Sequence, residues 1–241
     1  MELRAVARRS ASDQVFDQLA GNILRGEVEA GQSLLSERQL AEVLGVSRQV
    51  VREALQRLAH AGFVEVRQGG STTVLDFKRH GGLNLLAQLL LADGGVDLAV
   101  ARSIVEARQI IGPEVAALAA KQAGREVAGQ LRQTLAKLAG DADPVTRQRV
   151  ALEFWEALVD GSDSIVFRLM FNSLRLAYEP LLAAMAVVMQ HEASQAGDYD
   201  ALIDAVEAGD PQAARAAATQ ILSPTTSALL DAIDAAAVTA W

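Results

Sequence analysis

Residues 36 to 74 decide the fold. They read Ser36-Glu37-Arg38-Gln39-Leu40-Ala41-Glu42-Val43-Leu44-Gly45-Val46-Ser47-Arg48-Gln49-Val50-Val51-Arg52-Glu53-Ala54-Leu55-Gln56-Arg57-Leu58. After Ala59 to Ala61 the chain continues Gly62-Phe63-Val64-Glu65-Val66-Arg67-Gln68-Gly69-Gly70-Ser71-Thr72-Thr73-Val74. Ser36 with Gln39 three positions on is a capping-box pattern, which predicts a helix start. Leu40, Val43 and Leu44 supply an apolar stripe for a short helix. Gly45 stands where a helix closes in a left-handed residue, and Val46 is expected to pack the turn inward. Ser47 then caps a second helix whose apolar positions, Val51, Ala54, Leu55 and Leu58, recur at helical spacing. Arg48, Gln49 and Arg52 are left on the opposite side near its N-terminus, where a recognition helix meets the major groove. Arginine suits guanine and glutamine suits adenine, because each makes paired hydrogen bonds to a base edge. Gly62 ends the helix, Phe63 to Arg67 alternates like a half-buried strand, and Thr72 to Val74 returns it. A helix pair followed by a hairpin is a winged helix-turn-helix, with Arg67, Gln68 and Gly69 at the wing. Many amphipathic helix pairs joined at a glycine bind nothing, so periodicity alone leaves DNA binding open.

The residue pattern goes further. Leu34-Leu35-Ser36-Glu37-Arg38, Leu40-Ala41, Leu44-Gly45-Val46-Ser47-Arg48, Val51-Arg52-Glu53-Ala54-Leu55 and Gly62-Phe63-Val64 resemble the amino-terminal signature of the GntR family of bacterial transcription regulators. Leu35 replaces the usual proline, and Ser71 replaces the second glycine of the wing. The resemblance implies that Arg38, Arg48 and Arg52 contact DNA, that Gln49 probes sequence, that Ser47 starts the recognition helix, and that Gln68 and Gly69 form the wing tip.

Composition sets the rest. The chain has 241 residues, 51% of them apolar, which is ample for a core, and it has no cysteine, which excludes disulfides and thiolate metal sites. No run of eighteen apolar residues occurs, and the start lacks a signal-peptide core, so a cytoplasmic protein with no membrane partner is expected. The net charge of −8 is uneven: residues 1–76 carry nine arginines and no lysine against ten acids, and the remainder carries thirteen basic residues against twenty acids. Arg4, Arg8 and Arg9 add phosphate contacts or are a solvated end.

Ser12 to Arg25 reads as a first helix. From Leu83 onward the segments are helical, with spans near 83–92, 97–123, 126–140, 145–161, 164–191, 198–208 and 211–237, broken at Gly- and Pro-rich points. The expected fold is mainly α. It comprises a winged helix-turn-helix with a small β-hairpin over 1–76, a linker at 77–82, and an all-α bundle of about six to seven helices over 83–241 that binds an effector and dimerises.

Ile104-Val105-Glu106-Ala107-Arg108 and Ala205 through Ala218 resemble the ligand-binding domain of the fatty-acid-responsive FadR branch of that family. Many of its members hold a metal, and the resemblance places those ligands at Ala151, Trp155, Tyr199 and Ile221, none of which suits the role except Tyr199 as a weak ligand. The three histidines, His60, His80 and His191, lie elsewhere, so no metal and no cofactor are expected. Gly82 to Leu86, and Asp163 to Leu174 with Tyr178, resemble the same branch, including a buried asparagine at Asn172. The implied effector is a fatty acid or fatty acyl-coenzyme A among apolar side chains, with Arg108, Trp155, Phe171, Asn172, Tyr178 and Tyr199 lining the site. Arg108 meets its anionic end or pairs with Glu106 or Glu114, and the aromatic residues serve equally as plain core. The alternative within the family is a small carboxylate effector from sugar-acid or amino-acid catabolism. The expected partners are a near-palindromic operator in double-stranded DNA and a second copy of the chain. The clusters Asp160, Asp163 and Asp198, Asp200, Asp204 raise an enzyme as another class, but they sit at helix ends, with neither a glycine-rich phosphate loop nor a histidine beside them.

Overall fold

The computed structural model describes residues 10–67, 71–91, 95–140, 143–185 and 196–239. The chain divides into two compact units. One runs to Leu85 and includes Leu91–Gly95; the other comprises Leu86–Leu90 and the chain from Val96 on.

The first unit holds α1 (Ala11–Leu24), α2 (Glu37–Leu44), α3 (Arg48–His60), β1 (Val64–Val66), β2 (Thr72–Val74) and α4 (Phe77–His80). Both capping expectations hold. Ser36 accepts the Gln39 backbone N–H while the Gln39 side chain accepts the Ser36 N–H, and Ser47 accepts the Val50 N–H at 3.3 Å. Gly45 closes α2 at φ 66°, in the left-handed region that glycine enters cheaply. α1 packs on α3, burying Val15, Phe16, Leu19 and Ile23 against Val51, Ala54, Leu55 and Leu58. Phe63 is fully buried between the rings of Phe16 and Phe77, with centroids 6.5 and 6.0 Å away. β1 and β2 pair antiparallel with Val64 opposite Val74, and residues 31–34 bond along the other edge of β2. Val43 departs from expectation: it is 73% exposed, because so short a helix buries one narrow face, taken by Leu40 and Ala41. The stretch read as a linker contains the helical turn α4, capped by Asp76.

The second unit contains α5 (Leu86–Leu90), α6 (Leu98–Gln122), α7 (Gly124–Gly140), α8 (Pro144–Gly161), α9 (Ile165–Tyr178), α10 (Leu182–Met185), α11 (Ala196–Glu207) and α12 (Pro211–Thr239). Side-chain oxygens cap the starts: Asp97 for α6, Asp143 ahead of Pro144 for α8, and Ser164 for α9. The helix expected over 164–191 stops at Tyr178, where Glu179-Pro180-Leu181 tightens into a 3-10 turn. Proline has no N–H to continue the ladder. α6 lies along α12, and α7, α8 and α11 close the bundle around them. Its core joins Val115, Ala116, Ala119 and Ala120 of α6 to Leu131, Phe154, Leu158, Leu202, Ile203, Ala214, Ala218 and Leu222. α12 is long and apolar enough by length and composition to cross a membrane. Its buried face of Ala214, Ala218, Ile221 and Leu222 marks it as a bundle helix.

Gly62 sits at φ +82°, and a Cβ there would lie 2.4 Å from the backbone oxygen of His80. Gly62→Ala is therefore expected to destabilise the chain by roughly 2 kcal/mol or more, read as a lower denaturant midpoint.

Candidate DNA interface and effector core

Subtracting the buried stripe of α3 leaves its N-terminal turn facing solvent. Arg48 and Arg52 are exposed, and Arg38 on α2 is exposed as well. Each group suited to DNA has an acid beside it. Arg38 lies 3.7 Å from Glu42, Gln49 donates to Glu53 at 3.2 Å, and Arg48 lies 3.8 Å from Glu37. Arg52 makes the tightest pairing: its Nε and Nη2 donate to the two oxygens of Glu37 at 3.2 and 2.9 Å. Those bonds hold the Glu37 carboxyl below its ordinary value and raise the Arg52 guanidinium above its own. A depressed carboxylate contributes its stability above the ordinary carboxylate value and loses it only as pH falls through the lowered one, so the pair stays ionised well into acid. The structure thus brings Arg38, Ser47, Arg48, Gln49 and Arg52 onto the helix-turn-helix. Gln68, Gly69 and the arginines of residues 1–9 lie outside the described residues. Glu37 was missed in the sequence, although the Ser-Glu-Arg triplet places it at the first position of α2.

The second unit gathers most of the proposed effector residues around α6, α8 and α12. A Cβ on Gly112 of α6 would meet Leu222 of α12 at 2.5 Å and the Trp155 ring at 3.7 Å, so these three touch. Arg108 is one turn before Gly112 on the same face. Trp155 meets Phe154 edge-on, and Phe154 meets Tyr199 edge-on at 4.8 Å. Tyr178 donates to the buried Gln148 at 3.2 Å and packs with Val105 and Leu229. Phe171 is partly buried against the main core.

Asn172 corrects the expectation. It is exposed on α9 and accepts from Arg168 at 2.8 Å, not buried in the interior. The arginine that holds it also donates to Glu156 at 2.6 Å and Asp160 at 2.8 Å, and this charged cluster keeps the asparagine outside. Asp204 likewise pairs with Arg132. Asp160 and Asp204 thus serve in ion pairs.

The four positions to which the resemblance assigns a metal carry side chains that do not suit one. Ala151, Trp155, Tyr199 and Ile221 are all buried in the packed core. Among the described residues no group of three histidine or acidic side chains is placed to hold a metal ion. What the core does carry is polar atoms at unusual depth. The Trp155 indole N–H and the Thr225 hydroxyl are buried and, among the described residues, have no hydrogen-bond partner. Gln109 is better served, donating to Ser223 at 2.8 Å and accepting from Thr226 at 2.7 Å.

A helix-turn-helix that turns arginines and a glutamine to solvent, in a chain whose second unit is all-helical, has the make-up of a DNA-binding transcription regulator. Residues 11–74 match the bacterial regulatory proteins of the gntR family and residues 103–223 match the FCD domain, so the chain belongs to the GntR family of DNA-binding transcriptional regulators, with an FCD effector-binding domain. It is 49% identical over 230 residues to the HTH-type transcriptional regulator Mce2R of Mycobacterium tuberculosis, covering 95% of this chain and 96% of that one. It is 33% identical over 231 residues, 90% of this chain and 86% of the relative, to an Escherichia coli protein named as a candidate regulator of the L-lactate dehydrogenase operon. A fatty acid metabolism regulator of Vibrio cholerae is 35% identical over 92 residues, 38% of this chain and 33% of that one. Among solved structures, the Listeria monocytogenes regulator Lar shares the fold at a TM-score of 0.58 and 15% identity, covering 93% of this chain and 98% of that one. These relatives are regulators rather than enzymes.

Arg48→Ala is expected to cost about 1–3 kcal/mol of operator binding, measured by fluorescence anisotropy at one fixed salt concentration. Unchanged affinity would remove Arg48 from the interface.

Proposed function

We propose that the chain is a cytoplasmic homodimeric repressor of the FadR type, reading a near-palindromic operator and released by a fatty acid or fatty acyl-coenzyme A bound inside the FCD bundle. The observation that carries the effector class is the character of the α6–α8–α12 interior. The positions that the resemblance assigns to metal ligands are Ala151, Trp155, Tyr199 and Ile221, all buried in an apolar core, and the buried Trp155 N–H and Thr225 hydroxyl suit a mostly apolar ligand with an oxygen acceptor. A carboxylate or thioester carbonyl satisfies such donors, Arg108 meets an anionic end, and an acyl chain matches Val105, Leu222 and Leu229. The partial likeness to the Vibrio cholerae fatty acid metabolism regulator supports the same reading. No metal takes part in it.

Release requires the effector to bind the DNA-free arrangement more tightly than the DNA-bound one. A hundredfold drop in operator affinity corresponds to about 2.7 kcal/mol of coupling. A small carboxylate is the second reading, favoured by the near full-length likeness to the lactate-operon relative.

The test uses Trp155 itself. The chain has two tryptophans, Trp155 and Trp241, so Trp241→Phe leaves Trp155 as sole reporter. Titration with a long-chain acyl-coenzyme A, the free fatty acid and L-lactate is followed by emission and by anisotropy of bound DNA. The acyl compounds are expected to shift the emission and release DNA, with Arg108→Ala weakening the effect about tenfold. A response to lactate alone transfers the function to the second reading.

A further inference from the structure

The acid beside the reading face is placed too specifically to be a bystander. Glu37 is the first residue of α2 and Arg52 lies one turn into α3, fifteen residues later, yet the two meet fork to fork. Arg48 approaches the same carboxylate from the start of α3. The Glu37 side chain is only 26% exposed, whereas those of Arg52 and Arg48 are 51% and 63% exposed. Two cations and one anion therefore form a local group with a single net positive charge. The carboxylate takes the Nε and one Nη2 hydrogen of Arg52, leaving the outer Nη edge free. That edge is one of two with which a guanidinium grips a pair of acceptors.

Two consequences follow from charge and geometry. A phosphate, which attracts cations without regard to sequence, finds less net charge to bind. A guanine edge, which offers two acceptors side by side, finds a guanidinium already oriented. Exposed ion pairs are worth little in stability, so this one is not there to hold the two helices together. We propose that Glu37 is a specificity-determining positioning residue. It fixes the edge that Arg52 presents to a base, and it suppresses binding to DNA of the wrong sequence by cancelling charge.

The experiment compares the full-length wild-type chain with Glu37→Gln. Anisotropy is measured on the duplex that the wild type selects from a random pool and on a scrambled duplex of the same composition, each across a series of potassium chloride concentrations. Thermal unfolding of both proteins is recorded alongside. The variant is expected to bind the scrambled duplex about tenfold more tightly, with a steeper salt dependence, roughly one unit of slope. Its preference for the selected duplex is expected to fall about tenfold. An unchanged preference overturns the proposal, and so does an equal loss on both duplexes, the mark of a merely structural role. If Glu37→Gln does not fold, Arg52→Lys decides. It keeps the charge but not the fork, so loss of preference with retained scrambled-duplex binding supports the proposal, and retained preference overturns it.

Discussion

Along much of α6 and α12, little more than methyl groups lies between two long helices. Ala116, Ala119 and Ala120 on one side and Ala214, Ala217 and Ala218 on the other are buried in a common core, and small residues at a contact set a short interaxial distance. Gly112 marks a close point, where Leu222 already occupies the space a side chain would need. One turn away the contact changes character, as Gln109 exchanges hydrogen bonds with Ser223 and Thr226. An alanine seam is featureless along its length and does little to fix which residue faces which. A satisfied polar cross-link restores that register, because sliding the helices by one residue would strand the buried Thr226 hydroxyl and its part-buried partner Gln109. α7, α8 and α11 then close around a pair whose alignment is set.

The two units use polar groups in opposite ways. In the bundle, depth makes each one consequential: Gln148, Thr225 and Trp155 sit where an unmet donor is costly. On the helix-turn-helix the charges are solvated, individually cheap to rearrange, and matched by neighbouring acids. An outlying pair such as Arg38–Glu42 can exchange its carboxylate for a nucleic-acid partner at small cost, while Glu37 keeps its hold on Arg52. A regulator needs such reversibility, since its off-state must be reachable by a ligand with a few kcal/mol of differential affinity.

Local chemistry was the legible part. Ser36, Gly45, Ser47 and Gly62 act on backbone atoms within a few residues, so caps and turns could be read from the chain, as could the helical periods of α3 and α8. Side-chain partners across elements were not legible. Asn172 was expected inside because the stretch around it resembles a family segment with a buried asparagine, yet Ile165, Val166, Leu169 and Leu176 of α9 are exposed, and Arg168 holds the amide at the surface. Val43 failed for a related reason, since periodicity gives a face but not how much of it a short helix buries. Glu37 was hidden because its role depends on Arg52, which only the packing of α2 on α3 brings near. The core donors Trp155 and Thr225 were invisible too, as no spacing rule says which indole will lack an acceptor.

The absence of lysine from residues 1–76 reaches beyond base reading. Guanidinium groups stay protonated across any cellular pH and are not substrates for amine acylation. The cationic charge of its arginines is thus insulated from acetylation, and shifts in pH around neutrality leave it untouched. Side-chain amines occur only at Lys78, Lys121 and Lys137, so amine-reactive dyes and linkers will mark the α4 turn and the bundle, leaving the reading face chemically silent.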